Sequence, residues 1–136
     1  MRELGRRAVA CARWRWMPGM RTLEHGRVIE GNGIAVIDRD GALVAPALNR
    51  EWTIPAQAVS AVPDLNDPAT LGCLLALVRE AAQEPGLHVR CMLPYAPDMS
   101  GKTPPPWVLY SGRGQRWGDR HETEAAALIA ALEAAP

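Results

Sequence analysis

One helix is specified more clearly than any other element of this sequence, and it lies between Asp67 and Pro85. Asp67 is a favourable N-cap, and Pro68 occupies the first helical position, where its missing N–H costs no hydrogen bond. Apolar residues then follow at the i, i+3, i+4, i+7 spacing of one helix face, namely Leu71, Leu74, Leu75 and Val78. Pro85-Gly86 ends the pattern. We therefore predict a helix over residues 68–82 that forms the centre of the hydrophobic core.

A helix is also predicted near each end of the chain. Leu4, Ala8 and Cys11 form an apolar stripe, which predicts a helix from Arg2 to about Trp14. Met17-Pro18 ends it at the latest, because the residue before a proline is pushed out of helical geometry. Near the other end, Thr123 can cap a helix whose apolar face comprises Ala125, Leu128, Ile129 and Leu132.

Short strands are predicted in the two intervening regions. Apolar runs separated by Gly-, Asn- and Asp-containing turns predict a β-meander, with strands at 27–30, 34–37, 42–45 and 52–54. Further along, we predict a strand at 89–93, a proline-rich loop at 94–106, and a hairpin formed by 107–111 and 115–117. The expected fold is α+β: a single domain over 1–136, with an antiparallel or mixed sheet (meander plus hairpin) packed against about three helices.

The cysteines and the apolar runs indicate a compartment. Three widely spaced cysteines, Cys11, Cys73 and Cys91, are typical of a reducing environment rather than of a disulfide framework. The first residues lead into no apolar signal sequence, and the longest apolar run, 74–78, is too short to span a bilayer. We therefore expect a soluble protein of the cytoplasm that does not enter a membrane.

The stretch Cys11–Arg21, which we call the Arg/Trp segment, contains two tryptophans, two methionines and three arginines. If it is extended, Trp14 and Trp16 share one face and Arg13 and Arg15 the other. That arrangement predicts tryptophans that anchor the first helix to the sheet, with an outward arginine rim. The same residue types are enriched at protein interfaces, so the sequence leaves a core role and an interface role open.

A second candidate surface is the proline-rich loop with Tyr95, followed by Trp107. A solvated connector, with Trp107 turned into the core, is the alternative. The candidate binding residues are therefore Arg13, Trp14, Arg15, Trp16, Arg21, Tyr95 and Trp107.

Nucleic-acid binding through the Arg/Trp segment is the alternative function. Residues 1–30 contain seven arginines and three glutamates, a local charge of +4, although the whole chain is neutral. Arg13, Arg15 and Arg21 could contact phosphates while Trp14 or Trp16 stacks on bases. A dedicated nucleic-acid domain is usually basic overall, which argues against this alternative.

Motifs for catalysis or for metal binding do not appear in the sequence. No two cysteines or histidines have the spacing of zinc ligands, and Asp38-x-Asp40-Gly41 lacks the remaining positions of a calcium loop. No serine lies in a G-x-S-x-G motif. We expect no catalytic residue, no metal, no cofactor and no enzyme activity.

Three segments resemble a group of small proteins carried by phages and prophages of high-GC bacteria. They are Cys11–Arg21 with WRWMPGM, Val62–Ala81 with PDLNDPATLGCLLALVREA, and the terminal helix Thr123–Glu133. No activity is assigned to the group. The resemblance therefore implies an origin in a mobile element and transfers no functional residue.

We accordingly expect a non-catalytic accessory protein that acts in the bacterial host cell by binding a host or phage protein. Inhibition of a host defence, in the manner of anti-CRISPR proteins, or of a replication factor is the concrete form of this hypothesis. The alternatives are a nucleic-acid-binding protein and a minor virion or assembly protein. The sequence leaves the oligomeric state open, with a homodimer among the options.

Overall fold

The computed structural model describes residues 1–23, 36–37, 42–44, 54–55, 62–92 and 103–136. In chain order the elements are α1 (Arg2–Ala10), β1 (Thr22–Leu23), β2 (Val36–Ile37), β3 (Ala42–Val44), β4 (Ile54–Pro55), β5 (Val62–Pro63), α2 (Pro68–Ala81), β6 (His88–Cys91), β7 (Trp107–Tyr110), β8 (Arg116–His121) and α3 (Glu124–Ala134). All strand pairs among these residues are antiparallel. The predicted α+β class is confirmed. No helix in the described ranges is long and apolar enough to cross a bilayer.

The chain divides into two compact units, Met1–Cys73 and Leu74–Pro136, and the boundary falls inside α2. In the first unit, β1 pairs with β5, and β2, β3 and β4 form a short three-stranded sheet. In the second unit, β6, β7 and β8 form a sheet in that order. The assignment of all 136 residues to one domain stays a prediction.

Helix α1 lies directly against β5 in the first unit. Its buried residues are Gly5 and Ala8, the small residues of its inner face. A Cβ at Gly5 would collide with Cγ1 of Val62 and would lie 3.3 Å from the Pro63 carbonyl oxygen. Glycine at position 5 therefore allows the helix backbone to approach the strand.

Helix α2 begins where the sequence predicts it. The Asp67 carboxylate accepts the Thr70 N–H at 2.8 Å, which is the hydrogen bond expected of an N-cap. Its fully buried apolar residues are Leu74, Leu77 and Val78. Leu71 and Leu75 of the predicted stripe are only half-buried, so the buried face is rotated toward Leu77.

A Schellman motif ends α2. The Glu84 N–H donates to the Arg79 carbonyl at 3.0 Å and the Gln83 N–H to the Glu80 carbonyl at 3.1 Å. Gln83 takes the left-handed conformation that this motif requires, with φ 54°. The Arg79 Nε–H then donates to the Leu87 carbonyl at 2.7 Å, which joins the end of α2 to the start of β6.

The core of the second unit lies between α3 and its sheet. The predicted apolar face of α3 is confirmed: Leu128, Ile129 and Leu132 are fully buried, as is Leu109 of the central strand β7. Thr123 caps the helix as predicted, because its Oγ1 accepts the Ala126 N–H at 3.1 Å. β8 pairs irregularly with β7, and Gly118 in this stretch has a φ of 76°.

Two predicted boundaries are wrong. The first helix does not extend to about Trp14 but ends at Ala10, because Cys11 turns to an extended backbone with φ −68° and ψ 132°. β8 continues to His121, four residues beyond the predicted strand end at Trp117. Gly118 accounts for the longer strand. Its positive φ allows β8 to form a bulge, after which β8 pairs with β7 again.

The meander is described only in part. β3 confirms the strand predicted at 42–45, β2 lies within the one predicted at 34–37, and β4 overlaps the one at 52–54. The strand at 27–30 and most of the loop at 94–106 lie outside the described residues. β5 lies outside the predicted strands. Its proline is tolerated because a two-stranded pair leaves each strand an open edge.

Candidate functional site

The Arg/Trp segment is positioned at its start by a tight turn that follows α1. The Cys11 N–H donates to the Ala8 carbonyl at 3.1 Å, and the Trp14 N–H donates to the Cys11 carbonyl at 2.9 Å. The residues after this turn have no helical or strand hydrogen bonding until the next turn at Pro18. The alternation of Trp with Arg therefore lies on an irregular connection that is neither helix nor strand.

The two indoles of the segment touch each other. The ring centroids of Trp14 and Trp16 are 5.4 Å apart and the rings are inclined at 84°, an edge-to-face pair. Such a pair is worth about 0.5–1.5 kcal/mol beyond the area it buries. Both tryptophans are half-buried, while Arg15 between them is exposed and Arg13 is half-buried. The tryptophans thus lie together on one side of the segment.

Trp14 is the inner member of this pair. Its Nε1 is inaccessible to solvent and has no hydrogen-bond partner among the described residues. A buried donor left unpaired costs about 1–3 kcal/mol. The polar edge of the Trp14 ring is therefore turned away from solvent, and Trp16 lies against this ring.

A type II turn follows, over Met17-Pro18-Gly19-Met20. Its Met20 N–H donates to the Met17 carbonyl at 3.1 Å, and Gly19 has the φ of 89° that the third position of this turn needs. The Met17 N–H also approaches the Met20 sulfur at 3.4 Å. Met20 is fully buried, so the turn removes a large apolar side chain from solvent.

The first turns of α2 hold the end of the segment. The Arg21 N–H donates to Thr70 Oγ1 at 2.9 Å, and this hydroxyl donates to Asp67 Oδ2 at 3.0 Å. The Arg21 Nε lies 3.3 Å from Asp67 Oδ1. One turn further along α2, the Cys73 thiol donates to the Pro18 carbonyl at 3.6 Å. The segment is therefore fixed by residues about fifty positions away in sequence.

The thiol in this contact is kept neutral. Burial raises the pKa of Cys73, and the nearby Asp67 carboxylate raises this pKa further. A protonated thiol is a hydrogen-bond donor and a poor nucleophile. Its geometry and its charge state both indicate a structural role for Cys73.

The structure separates the predicted site residues into three groups. Arg13, Trp14, Arg15 and Trp16 lie together on the connection after α1. The Arg21 side chain is exposed and its Nε is paired with Asp67, so Arg21 joins the segment to α2 and still presents part of its guanidinium to solvent. Trp107 belongs to the second unit, half-buried in β7 opposite Cys91 and His121, and Tyr95 lies outside the described residues.

A second cluster, not foreseen from the sequence, lies on the sheet of the second unit. The rings of His88 and Tyr110 are stacked, with centroids 6.1 Å apart and 25° between planes. The Arg90 guanidinium carbon lies 5.4 Å from the centroid of the same tyrosine ring. The sequence predicted both strands, but only their register brings these residues together, and no local signal encodes that register.

The second unit also has an apolar cavity of about 190 Å³ between α3 and β8. Four alanines of α3 line one wall, and Leu109, Trp117 and His121 contribute to the other. Within the described ranges, no group of three or more His, Cys, Asp or Glu residues could hold a metal ion.

None of the three cysteines forms a disulfide. Comparison of the chain with protein-family models, with curated proteins and with solved structures found no match.

Proposed function

We propose that this protein is a non-catalytic accessory protein that binds another protein through the Arg/Trp segment. The observation that carries the proposal is the Trp14–Trp16 pair, which is half-exposed beside the exposed Arg15. Tryptophan and arginine are the residue types most enriched among those that dominate binding energy at interfaces.

The support beneath the segment favours binding as well. The hydrogen bonds from Arg21 to Thr70 and from Cys73 to Pro18 hold the end of the segment in place before any partner arrives. Association then orders fewer side chains, and less of the interaction energy is lost to entropy.

The partner class rests on the segments WRWMPGM and PDLNDPATLGCLLALVREA, which resemble proteins of phages and prophages. We propose a bacterial host protein as the partner and the host cytoplasm as the site of action, with inhibition of a defence or replication factor as the result. The three cysteines without a disulfide support a reducing compartment.

The test begins with the full chain immobilised and exposed to lysate of a high-GC bacterial host. A stoichiometric protein partner is expected, which is then purified and titrated against variants by calorimetry. Arg15→Ala and Trp16→Ala should each weaken binding by about 2 kcal/mol, roughly thirtyfold, as interface hot spots do.

Arg113→Ala is the matched control, since it removes the same charge from an exposed turn of the second unit. A partner that binds both segment variants as tightly as the native protein would contradict the proposal. So would capture of nucleic acid, without a protein, in amounts that fall for Arg15→Ala.

A further inference from the structure

One face of the second unit's sheet gathers cationic and aromatic side chains into a row. Tyr110 on the central strand pairs with His88 on one side and with Arg116 on the other. Directly opposed residues of antiparallel strands point to the same side of a sheet, and so does Arg90, two residues after His88. We call these four residues the Tyr110 face.

The Tyr110 face points away from α3. Leu109, the neighbour of Tyr110 in β7, lines the cavity against the alanines of α3, and successive residues of a strand face opposite sides. Arg90 is exposed, the Arg116 side chain is 49% exposed, and His88 and Tyr110 are half-buried. Val108, which pairs with Arg90 and lies on the same face, is buried. The two arginines are therefore the solvent-exposed groups of the row, and His88 and Tyr110 are partly accessible beside them.

The planar groups of this face are already stacked. His88 lies against the Tyr110 ring, Arg90 lies over that ring, and the Tyr110 hydroxyl reaches the Met92 sulfur at 3.9 Å. Side chains held in this way lose little further freedom when a ligand binds. Asp119 lies 3.7 Å from Arg116, but the Asp119 side chain is 97% exposed, so solvent screens it and the face keeps a cationic character.

We propose that the Tyr110 face binds single-stranded nucleic acid. The Arg90 and Arg116 guanidinium groups would contact phosphates, and the stacked row of His88 and Arg90 would receive unpaired bases. Stacking platforms combined with cationic grooves are how proteins bind single strands without sequence preference. An acidic peptide would satisfy the arginines, whereas a nucleic acid supplies both phosphates for the arginines and bases that stack on planar groups, so the composition favours a nucleic acid.

This inference is independent of the proposed protein partner, since it concerns residues of the other unit. The test titrates the full chain into a fluorescently labelled short oligothymidylate at low salt and follows its anisotropy. Arg90→Ala should weaken binding by about fivefold or more, the lower range for loss of one stacking contact. Arg90→Lys should recover only part of this loss, because it restores the charge but not the planar guanidinium.

Arg2→Ala is the matched control, since it removes an exposed arginine of α1, and it should change the affinity less than twofold (about 0.4 kcal/mol). Circular dichroism confirms that each variant is folded. Amide chemical shifts of the native chain provide a readout that needs no variant, and the expected shifts upon adding the oligonucleotide lie in β6, β7 and β8.

Three results would overturn the inference. The first is no binding to the oligonucleotide. The second is that the native protein and the Arg90→Lys variant bind the oligonucleotide with equal affinity, which would show that the charge of residue 90 alone accounts for its contribution to binding. The third is displacement by a polyglutamate peptide at the same concentration as by unlabelled oligonucleotide, which would point to an acidic protein ligand instead.

Discussion

At the scale of single residues, the backbone conformation of Gln83 at the end of α2 lowers the stability of the folded protein. It is the non-glycine residue with positive φ in the described part of the chain, at φ 54°. A left-handed backbone costs an L-residue about 1–2 kcal/mol, whereas glycine adopts it freely but gains entropy when unfolded. We expect Gln83→Gly to raise the free energy of unfolding by about 0.5–1 kcal/mol, measured by urea denaturation.

Gln83→Ala is the control, because alanine keeps the Cβ and should give no such gain. If both variants had equal stability, the left-handed conformation of residue 83 would not be costly in this protein.

Cys73 contributes a pH dependence of stability. The pKa of the folded thiol is raised above its ordinary value of 9.0, so the unfolded chain ionises first as the pH rises. The native state then holds more protons than the unfolded state, and its free energy of unfolding falls with pH. The contribution is complete below pH 9.0 and is lost as the pH rises through the pKa of the folded thiol.

Cys73→Ser keeps a donor for the Pro18 carbonyl but does not titrate, so its urea-denaturation midpoint should fall less steeply over this alkaline range. Parallel profiles for the two proteins would mean that the thiol has the same pKa folded and unfolded.

At the scale of elements, substitution by alanine should have opposite effects on stability at two helical glycines. Gly5 of α1 lies where a Cβ would strike Val62, whereas a Cβ at Gly72 of α2 would meet nothing within 4 Å. Gly5→Ala should therefore lower the free energy of unfolding by about 1–3 kcal/mol, the usual cost of overpacking. Gly72→Ala should raise it by about 0.5–1 kcal/mol, because alanine is the better helix former.

Denaturation of both variants under identical conditions checks this pair, since the chemical change is the same at each position. Stabilisation by Gly5→Ala would show that α1 can move away from β5 without loss.

The elements themselves could largely be predicted from the sequence. The caps Asp67 and Thr123 and the apolar faces behind them fix α2 and α3, because these signals act within a few residues. The end of α1 could not be placed, since nothing in Cys11-Ala12-Arg13 forbids a helix. The strand pairing of β1 with β5 joins residues about forty positions apart, which no local pattern encodes.

Some features of the candidate site could likewise be predicted from the sequence, and others could not. The alternation of Trp with Arg is visible in the sequence and is sufficient to predict the Arg/Trp segment as a candidate site. The pairing of Arg21 with Asp67 and the stacking of His88 on Tyr110 depend on tertiary contacts, so only the structure could assign those residues their roles.

For the molecule as a whole, the balance of charge determines how it behaves in solution. Fifteen basic and fifteen acidic residues give a net charge of zero, and the sequence pI is 6.8. Near that pH the molecules repel each other least, which promotes association and precipitation. Solubility in polyethylene glycol titrations should therefore pass through a minimum near pH 6.8 and rise on either side.

Added salt should weaken that minimum if attraction between oppositely charged patches contributes to it. A solubility that rises steadily through neutral pH would instead indicate that exposed apolar surface controls association.

The hydrogen bonds from Arg21 to Thr70 and from Cys73 to Pro18 span 49 and 55 residues. A synthetic peptide with the sequence of residues 11–21 carries every side chain of the segment but none of the helix that orders it. It must meet the cost of ordering its backbone alone, about 1–2 kcal/mol per residue. Such a peptide is therefore a poor competitor for any partner of the folded protein, and transplanting the segment onto another scaffold requires a helix that offers Thr70 and Cys73 in the same positions.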